Sequence, residues 1–167
     1  HLPAAALPAP DVVVCKLGYV TPVVDGQRYA GASFIADDTD DAVRASDHLD
    51  NLSRLELCLP GATKDIVMDE LEGRVGFRSM TQDRLPLIGA LPCATTGATH
   101  LDEIPRQPGL FGLLGFGARG LVWGSLAAEL LVSQIEGEPL PLEADLVAAV
   151  DPARFLLRRA RRNQTEM

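Results

Sequence analysis

The sequence predicts an α+β fold in which a mostly antiparallel sheet is flanked by helices. Three observations favour it. β-branched segments surround a hairpin signal early in the chain, apolar residues recur at helical spacing later, and glycines mark a change from strand to helix near residue 115. With 167 residues, 47% of them hydrophobic, the chain can bury roughly two-thirds of its unfolded surface. These numbers indicate a soluble globular protein.

The first part of the chain carries strand signals. After a Pro- and Ala-rich lead-in over 2–10, strands are predicted at 12–15, 19–24 and 27–35. Asp25-Gly26 separates the last two and is typical of a type I′ hairpin turn. An antiparallel sheet therefore begins here.

The middle of the chain changes period twice. Apolar residues spaced three and four apart predict a helix over 38–59. A strand is predicted over 66–80, with Arg74, Gly76 and Arg78 on one side of its pleat. Arg74 and Arg78 are therefore predicted to lie on the same face of this strand.

Proline and glycine interrupt the next part of the chain. Residues 83–92 are predicted to be irregular, and 93–108 to form a polar surface excursion. A short strand follows at 110–114, and then a glycine-rich junction opens a helix that runs to Glu136. Because little of this helix is polar, it is predicted to be buried.

A last helix is predicted to begin at Asp151-Pro152. The chain is thereby divided into three segments by expected role. They are a sheet and helix over 1–108, a strand, glycine-rich loop and buried helix over 109–150, and a basic tail helix over 151–167.

The glycine-rich junction is the most informative feature of the sequence. Glycines let backbone approach a ligand closely, and the first N–H groups of a helix lack partners unless an acceptor meets them. The run is neither a GxGxxG fingerprint nor a GxxxxGK[ST] phosphate loop. Two interpretations stay open: a ligand rich in acceptors, or close packing of small residues against a sheet.

Arg78 is the second candidate. The planar fork of an arginine suits a carboxylate held by two parallel hydrogen bonds. At an interior-facing strand position, Arg78 could hold a ligand carboxylate or form a structural ion pair with one of the chain's many acids. The residues alone do not choose between them.

The C-terminal segment is basic although the chain as a whole is acidic, with a net charge of −8. Residues 1–150 carry 10 basic and 21 acidic side chains, whereas 151–167 carry 5 and 2. Two interpretations stay open: a solvated helix end that complements the helix dipole, or contacts with phosphate. The arginines concerned are Arg154, Arg158, Arg159, Arg161 and Arg162.

The cysteines and the hydropathy pattern limit the class of protein. Cys15, Cys58 and Cys93 are far apart and lack the spacing of a zinc site or a disulfide framework. No stretch approaches about 20 uninterrupted apolar residues, and the N-terminus has no signal-peptide pattern. We expect a cytoplasmic protein with reduced cysteines, no metal and no membrane association.

Four runs of sequence occur in an order that is typical of one family. They are CKLGYVTP at 15–22, GASF at 31–34, RVGFRSMTQDRLPLIG at 74–89, and the junction at 110–131. Together they resemble the D-amino acid oxidase superfamily of flavoenzymes, within which the chain is most similar to the oxidoreductase region of bifunctional tRNA wobble-uridine modification enzymes. The resemblance spans nearly the whole chain.

This resemblance implies FAD as cofactor, tRNA as partner, a substrate-binding role for residues 1–108 and a flavin-edge role for 109–150. It also implies a reaction that oxidatively removes the carboxymethyl group from the secondary amine of 5-carboxymethylaminomethyl-2-thiouridine. Arg78 matches a position that grips the substrate carboxylate. Tyr19 and Arg119 match positions near the substrate, and no residue is assigned as a catalytic base.

The resemblance also implies a flavin-edge loop, in which backbone passes the pyrimidine edge of the flavin. The matching residues are Gly115, Phe116, Gly117, Ala118, Arg119, Gly120 and Leu121. Two other functions stay open for the chain, a piece of a glycine, sarcosine or D-amino acid oxidase and a ligand-free structural domain.

The FAD-binding GxGxxG segment of the family is absent from the sequence, as is the methyltransferase domain that would precede it. The chain therefore resembles a part of a longer protein whose FAD-binding half is mostly missing. We expect the 167-residue chain to bind FAD weakly or not at all. Flavin absorbance that the purified chain retained through gel filtration would contradict this expectation.

Overall fold

The computed structural model describes residues 1–3, 11–31, 33–94 and 98–165. The chain divides into two compact units, His1–Phe77 and Arg78–Met167. It mixes helices with small antiparallel sheets, as predicted, although the lead-in at 4–10 lies outside the described residues. The predicted division at 108 and 150 concerns roles, does not coincide with the compact units, and stays a prediction.

Among its described residues, the first unit contains five short strands, which are shorter than the sequence predicted. They are β1 Leu2–Pro3, β2 Val14–Cys15, β3 Tyr19–Val20, β4 Gln27–Arg28 and β5 Ala30–Gly31. β1 pairs with β4, and the order of the other three is β2-β3-β5. Every one of these pairs is antiparallel.

The predicted hairpin turn is confirmed. Asp25 and Gly26 have φ values of 51° and 77°, and positive φ at both central residues is what a type I′ turn requires. Val24 and Gln27 exchange two backbone hydrogen bonds of 2.8 and 3.0 Å across it. Local turn chemistry therefore decides this part of the sheet.

The helix predicted over 38–59 forms, but it begins later, as α1 Ala45–Cys58. Oδ1 of Asp38 and Oδ1 of Asp40 accept the N–H groups of Asp40 and Ala42, both at 3.0 Å. Such side-chain turns compete with helical hydrogen bonds and delay the start of the helix. Leu55 on α1 packs in a core with Leu2, Val20 and Ala62.

The strand predicted over 66–80 is wrong. A short 3₁₀ helix occupies Met68–Glu70, and the chain over 72–79 is exposed and outside the strand pairs of the described residues. The next backbone pairing along the chain is an isolated β-bridge between Met80 and Phe116. The alternating pattern is present, but glycines weaken a strand, and no strand of the described parts of the chain pairs with this segment.

The second unit is built on the antiparallel pair of β6 Leu87–Pro92 and β7 Arg106–Leu114. β6 corrects the prediction that 83–92 is irregular, since Gly89 pairs with Gly112 and Pro92 comes at the strand end. β7 confirms the predicted strand at 110–114 and extends it.

The surface excursion predicted at 93–108 is also corrected for its described residues. Ala98 and Ile104 are buried with Ala153 and Leu157, next to a 3₁₀ helix at Leu101–Glu103. Residues 95–97 lie outside the description.

Three helices complete this unit: α2 Gly120–Glu136, α3 Ala144–Val150 and α4 Arg154–Thr165. α2 ends at Gly137, where φ is 71°, as predicted. The predicted burial of α2 is wrong for one side. Ala127 and Leu130 pack on Ile88, but Leu121 and Val122 are 101% and 81% exposed, because two strands cover one helix face. None of the described helices is long and apolar enough to cross a membrane.

α4 begins close to the predicted Asp151-Pro152 signal. Oδ1 of Asp151 accepts the N–H of Ala153 at 2.7 Å. The same carboxylate is held by the guanidinium of Arg106 on β7, through bonds of 2.8 and 2.9 Å. This ion pair fixes the start of α4 against the sheet.

A second carboxylate, that of Asp83, joins α4 to the loop before β6. Arg154 donates from Nε to Oδ2 and from Nη2 to Oδ1, both at 2.9 Å, and Arg158 donates from Nη1 to Oδ2 at 2.7 Å. Arg154 is only 3% exposed. Its hydrogen bonds, and further ones from Leu85 and Arg158, hold the pKa of the Asp83 carboxyl well below its usual range.

Replacing Asp83 by Asn should destabilise the chain in a pH-dependent way. Since its pKa is lower in the folded state, Asp83 stabilises the fold above the usual carboxyl pKa of about 4, and this contribution is lost as pH falls further. At neutral pH, D83N should lower the free energy of unfolding by about 3 kcal/mol, because Arg154 stays buried without its counter-charge. Urea titration followed by the fluorescence of Trp123, the single tryptophan, measures this.

Asp50→Asn is the matched control. Asp50 pairs with Arg54 on the surface of α1, where the two side chains are 45% and 36% exposed, and such pairs contribute less than about 1 kcal/mol. The difference between wild type and D83N should shrink below about pH 4. A difference that stayed constant there would contradict the role of the charged carboxylate.

Candidate functional site

The glycine-rich loop between β7 and α2 is packed against the segment that follows Arg78. The N–H of Gly117 donates to the carbonyl of Ser79 at 2.9 Å, and Phe116 forms a bridge with Met80. Gly117 has a φ of 55°, and a Cβ there would lie 3.3 Å from Sδ of Met80. The loop therefore needs glycine at this position both for its backbone angle and for its close approach to Met80.

The first turn of α2 presents free backbone donors. Val122 and Trp123 both donate to the carbonyl of Arg119, at 3.1 and 3.0 Å. Within the part of the chain that the structure describes, the N–H groups of Gly120 and Leu121 have no protein acceptor. The positive end of the helix dipole lies at the same place. A ligand with carbonyl or anionic oxygens matches this turn.

The small residues of α2 divide into two groups. Ala127 is fully buried in the core. A Cβ on Gly120 would approach no described atom more closely than 3.9 Å, and one on Gly124 would meet nothing within 4 Å. Close packing against the sheet therefore accounts for the alanine but not for these two glycines.

Arg78 lies one residue before the contact between Ser79 and Gly117. It is exposed, which corrects the expectation of an interior-facing strand position. The change follows from the missing strand, since a segment without a ladder partner has no covered face. Because Ser79 accepts a hydrogen bond from Gly117, the backbone of Arg78 is held close to the glycine-rich loop.

Arg119 lies at the position that precedes α2 and is exposed. Its Nη2 donates to the carbonyl of Arg84. Arg84 has a φ of 61° and belongs to the same loop as Asp83. Arg119 thus ties the glycine-rich loop to residues 81–86 at a second point.

Tyr19 lies in the other compact unit, on β3. It is 37% exposed, and its ring covers Gly31, where a Cβ would come 3.4 Å from the phenol oxygen. Contacts within the second unit therefore bring together Arg78, Arg119 and the loop at 115–121, whereas Tyr19 belongs to the first unit.

Two charged residues that hold this region were missed by sequence reasoning. Asp83 was not singled out, and Arg154 was grouped with the solvated or phosphate-binding arginines, which its burial corrects. Thr81 Oγ1 and the N–H of Leu85 also bond to Asp83, at 3.1 and 3.2 Å. A Thr-x-Asp-x-Leu pattern signals such a local turn, but the long-range partner has no local signal.

Comparison with known proteins identifies the family to which the chain belongs. The family model described as FAD dependent oxidoreductase matches residues 1–134. The chain is 60% identical over 162 residues to the tRNA 5-methylaminomethyl-2-thiouridine biosynthesis bifunctional protein of Azoarcus sp., covering 96% of this chain and 26% of that protein.

Further relatives carry the same printed name. The protein of Aromatoleum aromaticum is 57% identical over 163 residues, with 96% of this chain and 26% of the relative covered. The protein of Burkholderia multivorans is 47% identical over 173 residues, with 98% of this chain and 26% of the relative covered. The chain thus spans about a quarter of the length of these relatives. The match to the family model over residues 1–134 places this chain in the FAD-dependent oxidoreductase family.

Proposed function

We propose that the chain is the substrate-side and flavin-edge part of an enzyme that uses FAD to remove the carboxymethyl group from 5-carboxymethylaminomethyl-2-thiouridine in tRNA. The observation that carries the proposal is the hydrogen bond from Gly117 to Ser79, which joins the Arg78 segment to the glycine-rich loop. The family match and the names of the relatives support the same reaction. The fold is then a substrate domain of the D-amino acid oxidase type.

The residues at 115–121 fit the pyrimidine edge of a flavin. Gly120 and Leu121 offer backbone donors, and the space beside Gly120 leaves room for a close ligand. The helix N-terminus favours the negative charge that a reduced flavin acquires. When bound, FAD supplies the two-electron acceptor that oxidises the carbon next to the amine nitrogen.

Arg78 is the proposed grip for the carboxylate of the carboxymethyl group. Its guanidinium can form two parallel hydrogen bonds to that carboxylate, which would aim the adjacent carbon at the flavin. Arg119 and Tyr19 are proposed as secondary substrate contacts. The chain's own residues bind and orient the substrate, and no side chain is assigned as a base.

The intact protein is proposed to contain further domains, because the relatives are about four times as long as the matched region. We infer an upstream FAD-binding domain and a methyltransferase domain that acts on the primary amine product. A cytoplasmic location is proposed from the three free cysteines, Cys15, Cys58 and Cys93.

A free amino acid oxidase is the second candidate function, because an arginine beside a flavin would bind glycine or sarcosine equally well. Activity on the nucleoside rather than on free amino acids separates the two. The names of the relatives favour the tRNA substrate. A purely structural domain would not require the open donors of the first α2 turn.

Arg78→Ala in the intact protein should raise the apparent KM for the carboxymethylated substrate. We expect a loss of about 2–5 kcal/mol in kcat/KM, because a charged partner of the carboxylate is removed. Steady-state kinetics with the modified nucleoside measure it. Arg74→Ala is the matched control, as it removes an exposed arginine four residues upstream. Equal kinetics for the Arg78→Ala and wild-type proteins would contradict the assignment of Arg78 to the substrate carboxylate.

In the intact protein, Gly117→Ala should reduce flavin occupancy, because alanine is strained at a φ of 55° and its Cβ would press on Met80. Gly137→Ala is the matched control, since it has a φ of 71° with nothing within 4 Å of the added Cβ. Both changes should cost about 1–2 kcal/mol of stability. Flavin absorbance per protein should fall for Gly117→Ala alone. An equal fall for both variants would indicate that stability, not the loop, sets occupancy.

A further inference from the structure

The arginines of α4 fall into two groups. Arg154 is buried against Asp83, on the same side of the helix as Leu157. Arg158, Arg159, Arg161 and Arg162 are exposed. Residues 154–165 contain five arginines and no acid, in a chain whose net charge is −8. The outer side of α4 is therefore a concentrated positive surface.

A groove runs between this surface and the loop before β6. Its lining consists of Gln82, Phe155, Arg158, Arg161 and Arg162, and we call it the α4 groove. The guanidinium carbon of Arg158 lies 5.3 Å from the centre of the Phe155 ring. Arg161 donates to the carbonyl of Thr99 at 2.9 Å. These contacts hold two of the three arginines in place on one helix face.

Within the described parts of the chain, the carboxylates of Asp83 and Asp151 are outnumbered by the arginines that bind them. Asp151 is matched by Arg106, and Asp83 by the buried Arg154. Arg158 shares Asp83 but adds a further positive charge. Three arginines, Arg106, Arg154 and Arg158, thus share these two carboxylates. A cationic groove of this kind attracts a polyanion, and the arginine fork binds phosphate in two-point contacts.

The loop that forms one wall of the groove also forms the candidate site. Gln82 lines the groove, while Ser79 and Met80, a few residues upstream, contact the glycine-rich loop. A long polyanion bound along α4 would therefore contact the same short loop that borders the proposed flavin edge. Binding of a free amino acid would not require such a cationic surface.

We propose that the α4 groove binds the phosphodiester backbone of RNA and so guides the tRNA toward the candidate site. This rests on the proposed function, because tRNA is the substrate inferred there. Arg161 and Arg162, with Arg158, are the phosphate contacts. Phe155 and Gln82 form the wall that orients them.

The test measures RNA binding by the intact protein. Fluorescence anisotropy of a fluorescein-labelled tRNA transcript is recorded over a series of KCl concentrations for wild type and for the double variant R161A/R162A. We expect about tenfold weaker binding, and a salt slope of log K reduced by about two, since two phosphate contacts are lost. The variant R161K/R162K should keep the salt slope of wild type, because lysine keeps the charge, but should bind RNA more weakly, because lysine lacks the two-point fork.

The control R54A/K64A removes two positive charges from the first compact unit, those of the half-buried Arg54 and the exposed Lys64. Unchanged affinity and salt slope in R161A/R162A, or an equal loss in the control, would overturn the proposal. So would loss of flavin absorbance in R161A/R162A with normal RNA binding, since the groove would then hold the pyrophosphate of FAD.

Oxidation of the free modified nucleoside separates this proposal from the proposed function. Wild type and R161A/R162A should oxidise the nucleoside at equal rates. If neither protein oxidises it while the variant still loses RNA affinity, the proposed reaction fails and the groove stands. If both oxidise it and RNA affinity is equal, the groove fails and the reaction stands.

Discussion

The carboxylate of Asp83, shared by Arg154 and Arg158, is the interaction on which the second compact unit depends. It fixes one helix to one loop across about 70 residues of chain. A buried ion pair of this kind adds less net stability than its short bonds suggest, because both groups lose water. Its main effect here is positional, since no apolar contact would hold the backbone of 81–85 in one arrangement so specifically.

This position has consequences on both sides of the loop. On one side, Arg84 adopts a φ of 61°, and its carbonyl accepts a hydrogen bond from the guanidinium of Arg119. A left-handed angle in a residue with a side chain costs about 1–2 kcal/mol, which the surrounding bonds must offset. On the other side, Gln82 faces the arginines of α4. One carboxylate therefore organises the proposed flavin edge and the proposed RNA surface together.

Sequence reasoning succeeded where the determinants are local. The Asp25-Gly26 turn and the end of α2 at Gly137 depend on backbone angles that few residues adopt, so their letters suffice. It failed at 66–80, at β6 and at Arg154, because pairing and burial depend on distant partners. The same limit applies to the site: the glycine-rich loop could be found from the sequence, but its contact with Ser79 could not.

The exposure of Arg78 determines where its proposed role can be exercised. In open water an arginine and a carboxylate attract each other weakly, and the pair contributes about 0–1 kcal/mol. The larger effect proposed for substrate binding requires that water be excluded around the pair. The same holds for the open donors of Gly120 and Leu121, beside which the Leu121 side chain is 101% exposed. Because the chain spans about a quarter of its relatives, we assign that exclusion of water to the rest of the intact protein. Under the proposed function, the chain's residues would orient the substrate, and the rest of the intact protein would supply the low dielectric that strengthens their charged contacts.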